Sequence, residues 1–205
     1  MNKLNYLLIW CLCLGTLISC GDKDEAAQPA SEAAADYIPS TKGSTWNYGG
    51  KTPYTCIATG ETKVIDGKTY TKIEARAGSQ VNVSYLHKEN GVYTQVAFQP
   101  NIPQEPIPML KEHLPVGGTW EVAMVVNGIN TKMAFAIKAK GMAKTVEGNS
   151  YKEVIHVEMV SSYTYMGYEV MEPITTNYYY AKGVGLIFSE FVGMESRPLL
   201  SYDIK

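Results

Sequence analysis

Along most of the chain, apolar and polar side chains alternate with a period of two rather than 3.6. Val81, Val83 and Tyr85 alternate with Asn82 and Ser84, and Trp120, Val122, Met124 and Val126 fall on one face. Met133, Phe135, Ile137 and Ala139 alternate against Lys132 and Lys138, as Ile155, Val157 and Met159 do against His156 and Glu158. Successive side chains of a strand point to opposite faces, so this spacing predicts half-buried antiparallel strands. Asp66-Gly67, Asn90-Gly91 and Asn127-Gly128 stand between such runs. Tight hairpins need positive φ at both central residues, which Asn-Gly and Asp-Gly tolerate best. No window of about a dozen residues carries a helical apolar stripe. The expected fold class is all-β, an antiparallel sheet or sheets curved into a half-barrel or barrel.

The pattern is written twice. Gly43-Ser44-Thr45-Trp46-Asn47-Tyr48 is echoed by Gly117-Gly118-Thr119-Trp120-Glu121-Val122. Asp66-Gly67 and Tyr70 are echoed by Glu147-Gly148 and Tyr151 at a constant offset of 81. Lys88-Glu89-Asn90-Gly91-Val92-Tyr93 compares more loosely with Tyr180-Ala181-Lys182-Gly183-Val184-Gly185. Repeats of this kind predict two related β halves, 37–99 and 116–205, in one domain. Between them, residues 100–115 hold Pro100, Pro103, Pro106, Pro108 and Pro115. Proline cannot donate to a ladder, so this stretch is expected to be an extended connector, with a helical turn conceivable only over Met109 to Leu114.

The first residues break the alternation. Lys3 precedes an apolar run from Leu7 to Ile18, the length of a secretory leader and too short to span a bilayer. Leu17-Ile18-Ser19-Cys20-Gly21 closes that run and resembles a bacterial lipobox. The resemblance implies that residues 1–19 are a signal peptide cut off before Cys20. It also implies that the Cys20 thiol takes a diacylglyceryl group and that the new amino terminus is acylated, commonly with palmitate. One acyl chain anchors only marginally, whereas three would make membrane attachment effectively permanent. Residues 20–36 then read as the lipidated terminus and a flexible tether, rich in Ala, Ser, Pro and acids. Sixteen such residues, 21–36, span about 20–25 Å by random-coil scaling. Gly21 stands where an inner-membrane retention acid would sit, which favours the outer membrane. Lys23-Asp24-Glu25 reads either as a surface-export signal or as a solvated acidic linker.

With 18 basic and 20 acidic side chains and no basic cluster, the chain is not expected to bind nucleic acid. Membrane contact is assigned to the acyl chains alone. Of four cysteines, Cys11 and Cys13 lie in the leader and Cys20 at the lipid site, leaving Cys56 with no partner for a disulfide. His87, His113 and His156 have no metal-ligand spacing, and there is no nucleophile elbow or phosphate loop. Hence neither an enzyme, a cofactor nor a metal is expected. The unusual feature is a cluster of aromatic residues: Tyr163, Tyr165, Tyr168, Tyr178, Tyr179 and Tyr180 fall close together, in a half that also holds seven of the nine methionines. Tyrosine joins a flat apolar body to a polar tip, and methionine lines adaptable apolar pockets. Strand alternation sends part of this cluster to each face. Tyr163, Tyr165, Tyr168 and Tyr179 are therefore the candidate ligand or partner face.

Gly43/Trp46, the hairpin Asp66-Gly67-Lys68-Thr69-Tyr70 and the run Tyr179-Tyr180-Ala181-Lys182-Gly183-Val184-Gly185-Leu186 together resemble a group of bacterial lipoproteins of unassigned role. The resemblance covers Tyr37 to Glu190 and implies a curved antiparallel sheet without a reaction. By analogy, that sheet is similar to the half-barrels of periplasmic lipoprotein carriers, whose apolar concave face holds acyl chains. The expected role is a non-enzymatic, lipid-anchored envelope protein that binds a lipophilic ligand or an envelope protein. The alternative is a glycan-binding accessory using Tyr163, Tyr165 and Tyr168 as a stacking platform.

Overall fold

The computed structural model describes residues 36–98 and 104–205. Its strands are β1 (Thr45–Tyr48), β2 (Tyr54–Ile65), β3 (Lys68–Ala77), β4 (Gln80–Glu89), β5 (Val92–Phe98) and β6 (Ile107–Lys111). They continue with β7 (Thr119–Val126), β8 (Ile129–Val146), β9 (Asn149–Tyr165), β10 (Tyr168–Ala181), β11 (Gly185–Phe191) and β12 (Glu195–Asp203). All twelve join one sheet in the order β6-β5-β4-β3-β2-β1-β12-β11-β10-β9-β8-β7. Every pairing is antiparallel, and the sheet curls into a nearly closed barrel. The all-β expectation is met.

The hairpins form where Asx-Gly stands. Asp66 and Gly67 have φ of 48° and 76°, Asn90 and Gly91 50° and 72°, and Asn127 and Gly128 51° and 81°. Glu147-Gly148 repeats the geometry at 49° and 80° with a residue that pays more strain in this region.

Matching hydrogen bonds recur at the start of β1 and of β7. Gly43 N donates to Ala58 O and Ala58 N to Ser44 O, while Gly117 N donates to Ile137 O and Ile137 N to Gly118 O. Trp46 then faces Cys56, and Trp120 faces Phe135, each two residues before the bonded Ala58 or Ile137. Tyr70 opposite Lys63 likewise matches Tyr151 opposite Lys144. Both tryptophans are buried, and each indole N–H finds a carbonyl, Val184 O for Trp46 at 2.6 Å and Pro108 O for Trp120 at 2.8 Å.

The junctions between the halves differ. β12 and β1 form a ladder, whereas β6 and β7 are the two edges of the sheet. The Trp120 bond to Pro108 O spans that gap. The proline-rich segment is therefore more than a connector: its 107–111 part is strand β6, on an edge where a proline without an N–H is tolerated.

The two ends of the barrel also differ. The β2–β3, β4–β5, β8–β9 and β10–β11 turns lie at one end, where Tyr37, Ile38 and Pro39 also sit. Pro39 is fully buried, Tyr37 N donates to Tyr93 Oη at 3.0 Å, and Gly183 N donates to Asp36 O at 2.7 Å. Gly185, at φ 113°, is required here, because a Cβ would lie 3.2 Å from Trp46 Nε1 and 3.7 Å from Pro39 Cδ. This is the closed end, where the described chain begins. At the other end the long strands β9 and β10 run out to the Met166-Gly167 turn.

Candidate functional site

Cross-strand partners share a face, so the ladders identify what lines the lumen. Trp46, Tyr48, Tyr54, Cys56, Ile73, Leu86, Tyr178, Tyr180 and Phe191 surround a cavity of about 350 Å³, with Ser84, Gln95, Ser189 and Arg197 as its polar members. Ile38 and Pro39 wall it at the closed end. Toward the mouth, a second cavity of about 480 Å³ shares Phe191 and adds Met159, Ser161, Tyr163, Thr176 and Met194. Such volumes and aromatic walls are those of a small-ligand pocket.

The space exists where the inner positions of β4 and β5 are small or polar, at Ser84 and Gln95. Val81, Val83 and Tyr85 were the expected apolar set of β4, yet Ser84 and Leu86 line the lumen and Val81 is exposed. Tyr85 instead packs outside, edge-on against Phe98 at 4.9 Å with Lys63 Nζ 4.0 Å from the Phe98 centroid. The outer face thus has its own apolar cover, and Ser84 leaves a void inside.

The lumen holds its polar groups in order. Tyr48 and Tyr54 stack at 4.8 Å, and Tyr48 Oη donates to Leu186 O at 2.8 Å. Burial pushes the Cys56 thiol up to about 12 and the Tyr178 phenol up to about 12. Both stay protonated at neutral pH, which makes Cys56 a wall residue and not a nucleophile. Arg197 Nε donates to Glu195 Oε1 at 3.0 Å, and its Nη2 reaches the same oxygen. The guanidinium carbon lies 5.0 Å from the Phe191 ring centroid and 5.9 Å from that of Tyr54.

The sequence-derived face is divided by the fold. Tyr163 opposes Met171 and Thr131 and lines the outer cavity. Tyr165 and Tyr168 oppose each other at the hairpin, 46% and 79% exposed, flanking Met166 at 77%. By strand parity these three tyrosines share one side of the β9–β10 extension and form a lip beyond the mouth. Tyr179 does not join them. Its position on β10 places it on the outer face, stacked on His156 at 4.3 Å, with Lys144 Nζ 3.9 Å above its ring. Tyr178 and Tyr180, on alternate positions, point into the lumen. Cys20 lies outside the described residues.

Sequence reasoning expected an apolar concave face but missed Arg197 and Glu195 and placed the site on the tyrosine cluster. The one local signal is that Glu195 and Arg197 stand two apart at the start of β12 and so share a face. That this face is the lumen depends on how the β11–β12 hairpin joins β1 and β10, which no local pattern reveals.

No family model and no curated protein matches the chain. Among solved structures, it is similar to the crystal structure of a "putative lipoprotein" from Parabacteroides distasonis ATCC 8503, at 12% identity and a TM-score of 0.49, covering 82% of this chain and 99% of that one.

Proposed function

We propose that this chain is a lipid-anchored envelope protein, held through Cys20 at the outer membrane, that binds a small apolar ligand in its barrel lumen without chemical turnover. The observation that carries the reading is the aromatic cavity of about 350 Å³, walled by Ile38 and Pro39 at one end and continuing to a mouth at the other. The described chain starts at the closed end, and β10, with 14 residues, is about 45 Å long. A tether reaching that end from the membrane leaves the mouth and its tyrosine lip on the far side, where solutes arrive. Native purification from membranes followed by mass spectrometry tests the binding role. One low-mass apolar compound, near one per chain, is the expected finding, and an empty lumen in every preparation would contradict it. For the anchor, Cys20→Ser should move the protein from the detergent-extractable membrane into the soluble envelope fraction; quantitative retention with membranes would refute lipidation.

A second reading, glycan binding, is favoured by the exposure of Tyr165 and Tyr168 at the hairpin. Aromatic rings open to solvent suit sugar stacking. Retention on immobilised envelope polysaccharide that disappears in Tyr165→Ser/Tyr168→Ser, with lumen occupancy intact, would establish it in place of the first.

A further inference from the structure

The charged side chains lining the two cavities, among the described residues, are Lys51, Glu195 and Arg197. All three sit toward the mouth. Deeper in, Trp46 Nε1 and Tyr48 Oη donate to main-chain carbonyls, and the other polar members, Ser84, Gln95 and Ser189, carry no charge. An apolar molecule with one charged end therefore meets a countercharge in only one orientation. Its body lies against the aromatic walls, and its head stays at the mouth.

The mouth also selects the sign of that head. The two cavities hold two cations, Lys51 and Arg197, and one carboxylate, Glu195, which is paired with Arg197, so a positive charge remains beside low-dielectric walls that strengthen its field. Among the described residues, Lys51 Nζ donates to Met194 O at 2.9 Å. The Arg197 fork offers two N–H groups that match a carboxylate, and it holds one already, with Nε and Nη2 both on Oε1 of Glu195. Glu195 opens β12 directly after the exposed Val192-Gly193-Met194 turn. A carboxylate from solution can take its place on Arg197 while Glu195 turns outward to water.

We infer that the lumen is a site for an amphiphilic monocarboxylate, its apolar body in the barrel and its carboxylate on Arg197 at the mouth, exchanging with Glu195. The inference rests on the lumen-binding reading and narrows it to a chemical class. It is tested by calorimetric titration of the full chain carrying Cys20→Ser, which keeps its own acyl chains out of the assay. The probes are dodecanoate and dodecanol, used below micelle formation at low salt. Dodecanoate should bind about tenfold more tightly than dodecanol, a difference of about 1.4 kcal/mol. Arg197→Gln should bring the two within about threefold, and Glu195→Gln should raise dodecanoate affinity several-fold while leaving dodecanol unchanged. Equal binding of acid and alcohol by the unaltered lumen would overturn the inference and leave lumen binding standing. Binding of neither would remove both. Should Arg197→Gln fail to fold, the acid-to-alcohol ratio of the parent chain and the Glu195→Gln response decide the matter.

Discussion

The two ends of the barrel are made from the same strands and solve opposite problems. At the closed end, Trp46 and the Ile38–Pro39 segment wall the lumen. Polar atoms there find partners inside the protein, as Trp46 Nε1 does at Val184 O and Tyr93 Oη does at Tyr37 N. At the mouth the lumen is left unfilled, its charges are gathered, and β9 and β10 carry tyrosine and methionine out into solvent. The contrast shows where each part of the sequence acts. Side chains that complete the closed end hold the fold, and those at the mouth are free to serve a ligand. Burial and exposure follow from strand parity and length, not from residue type, since tyrosine is used at both ends.

The largest effect should come from the closed end. Trp46→Ala removes a buried indole and its 2.6 Å hydrogen bond and should lower unfolding free energy by about 3–5 kcal/mol, measured by denaturant titration. A loss below about 1 kcal/mol would mean that the closed end is not a packed cap.

The lumen between the ends responds to alkali. The Cys56 thiol rises from its ordinary 9.0 to about 12, and the Tyr178 phenol from 10.0 to about 12, both through burial. The folded protein keeps protons that the unfolded chain releases between pH 9 and 12. Stability is therefore fully present below pH 9 and falls as pH rises through that window. Denaturation midpoints recorded from pH 8 to 11 should decline, and Cys56→Ala should delay the onset toward pH 10. A flat profile would indicate walls already hydrated.

The smallest effect on stability belongs to the lip. Tyr165→Ser with Tyr168→Ser should change unfolding free energy by less than about 0.5 kcal/mol for each substitution, because both rings already face water. Ligand association should nonetheless slow. A cooperative loss of stability would show that the β9–β10 extension packs on the barrel.

Much of this architecture is legible before any coordinates. The hairpins at Asp66-Gly67, Asn90-Gly91 and Asn127-Gly128 follow from φ preferences that act within two residues. The inner face of β9, with Ile155 and Val157 fully buried, follows from alternation. Parity fails where the ladder is irregular. Between Ile137 and Ala139 the β8–β9 register shifts, so Ala139 comes to face His156 on the outer side while Ile137 stays inside. It also fails on β4, where both faces are partly apolar and Val81, Val83 and Tyr85 turn outward. The β12–β1 ladder joins residues more than 150 positions apart, Thr45 with Asp203 among them. Arg197 faces Ser189 across the β11–β12 hairpin, and the long-range β12–β1 ladder next to it joins that hairpin to the first half of the sheet. The tyrosine cluster was visible as composition, but its division into lumen, lip and outer face required the register of β9 and β10.

The central claim is that the lumen behind the mouth is a binding site and not merely loose packing. Ser84 sits on its wall, and Ser84→Phe would fill much of the cavity without touching either end. Titration of a fluorescent apolar probe into the unaltered chain and into Ser84→Phe, with Trp46 as the internal donor, tests the claim directly. The account expects one saturable site with energy transfer from Trp46 in the unaltered chain, and loss of that site in Ser84→Phe at an unchanged thermal midpoint. Equal binding by the two proteins, or transfer that never saturates, would contradict it.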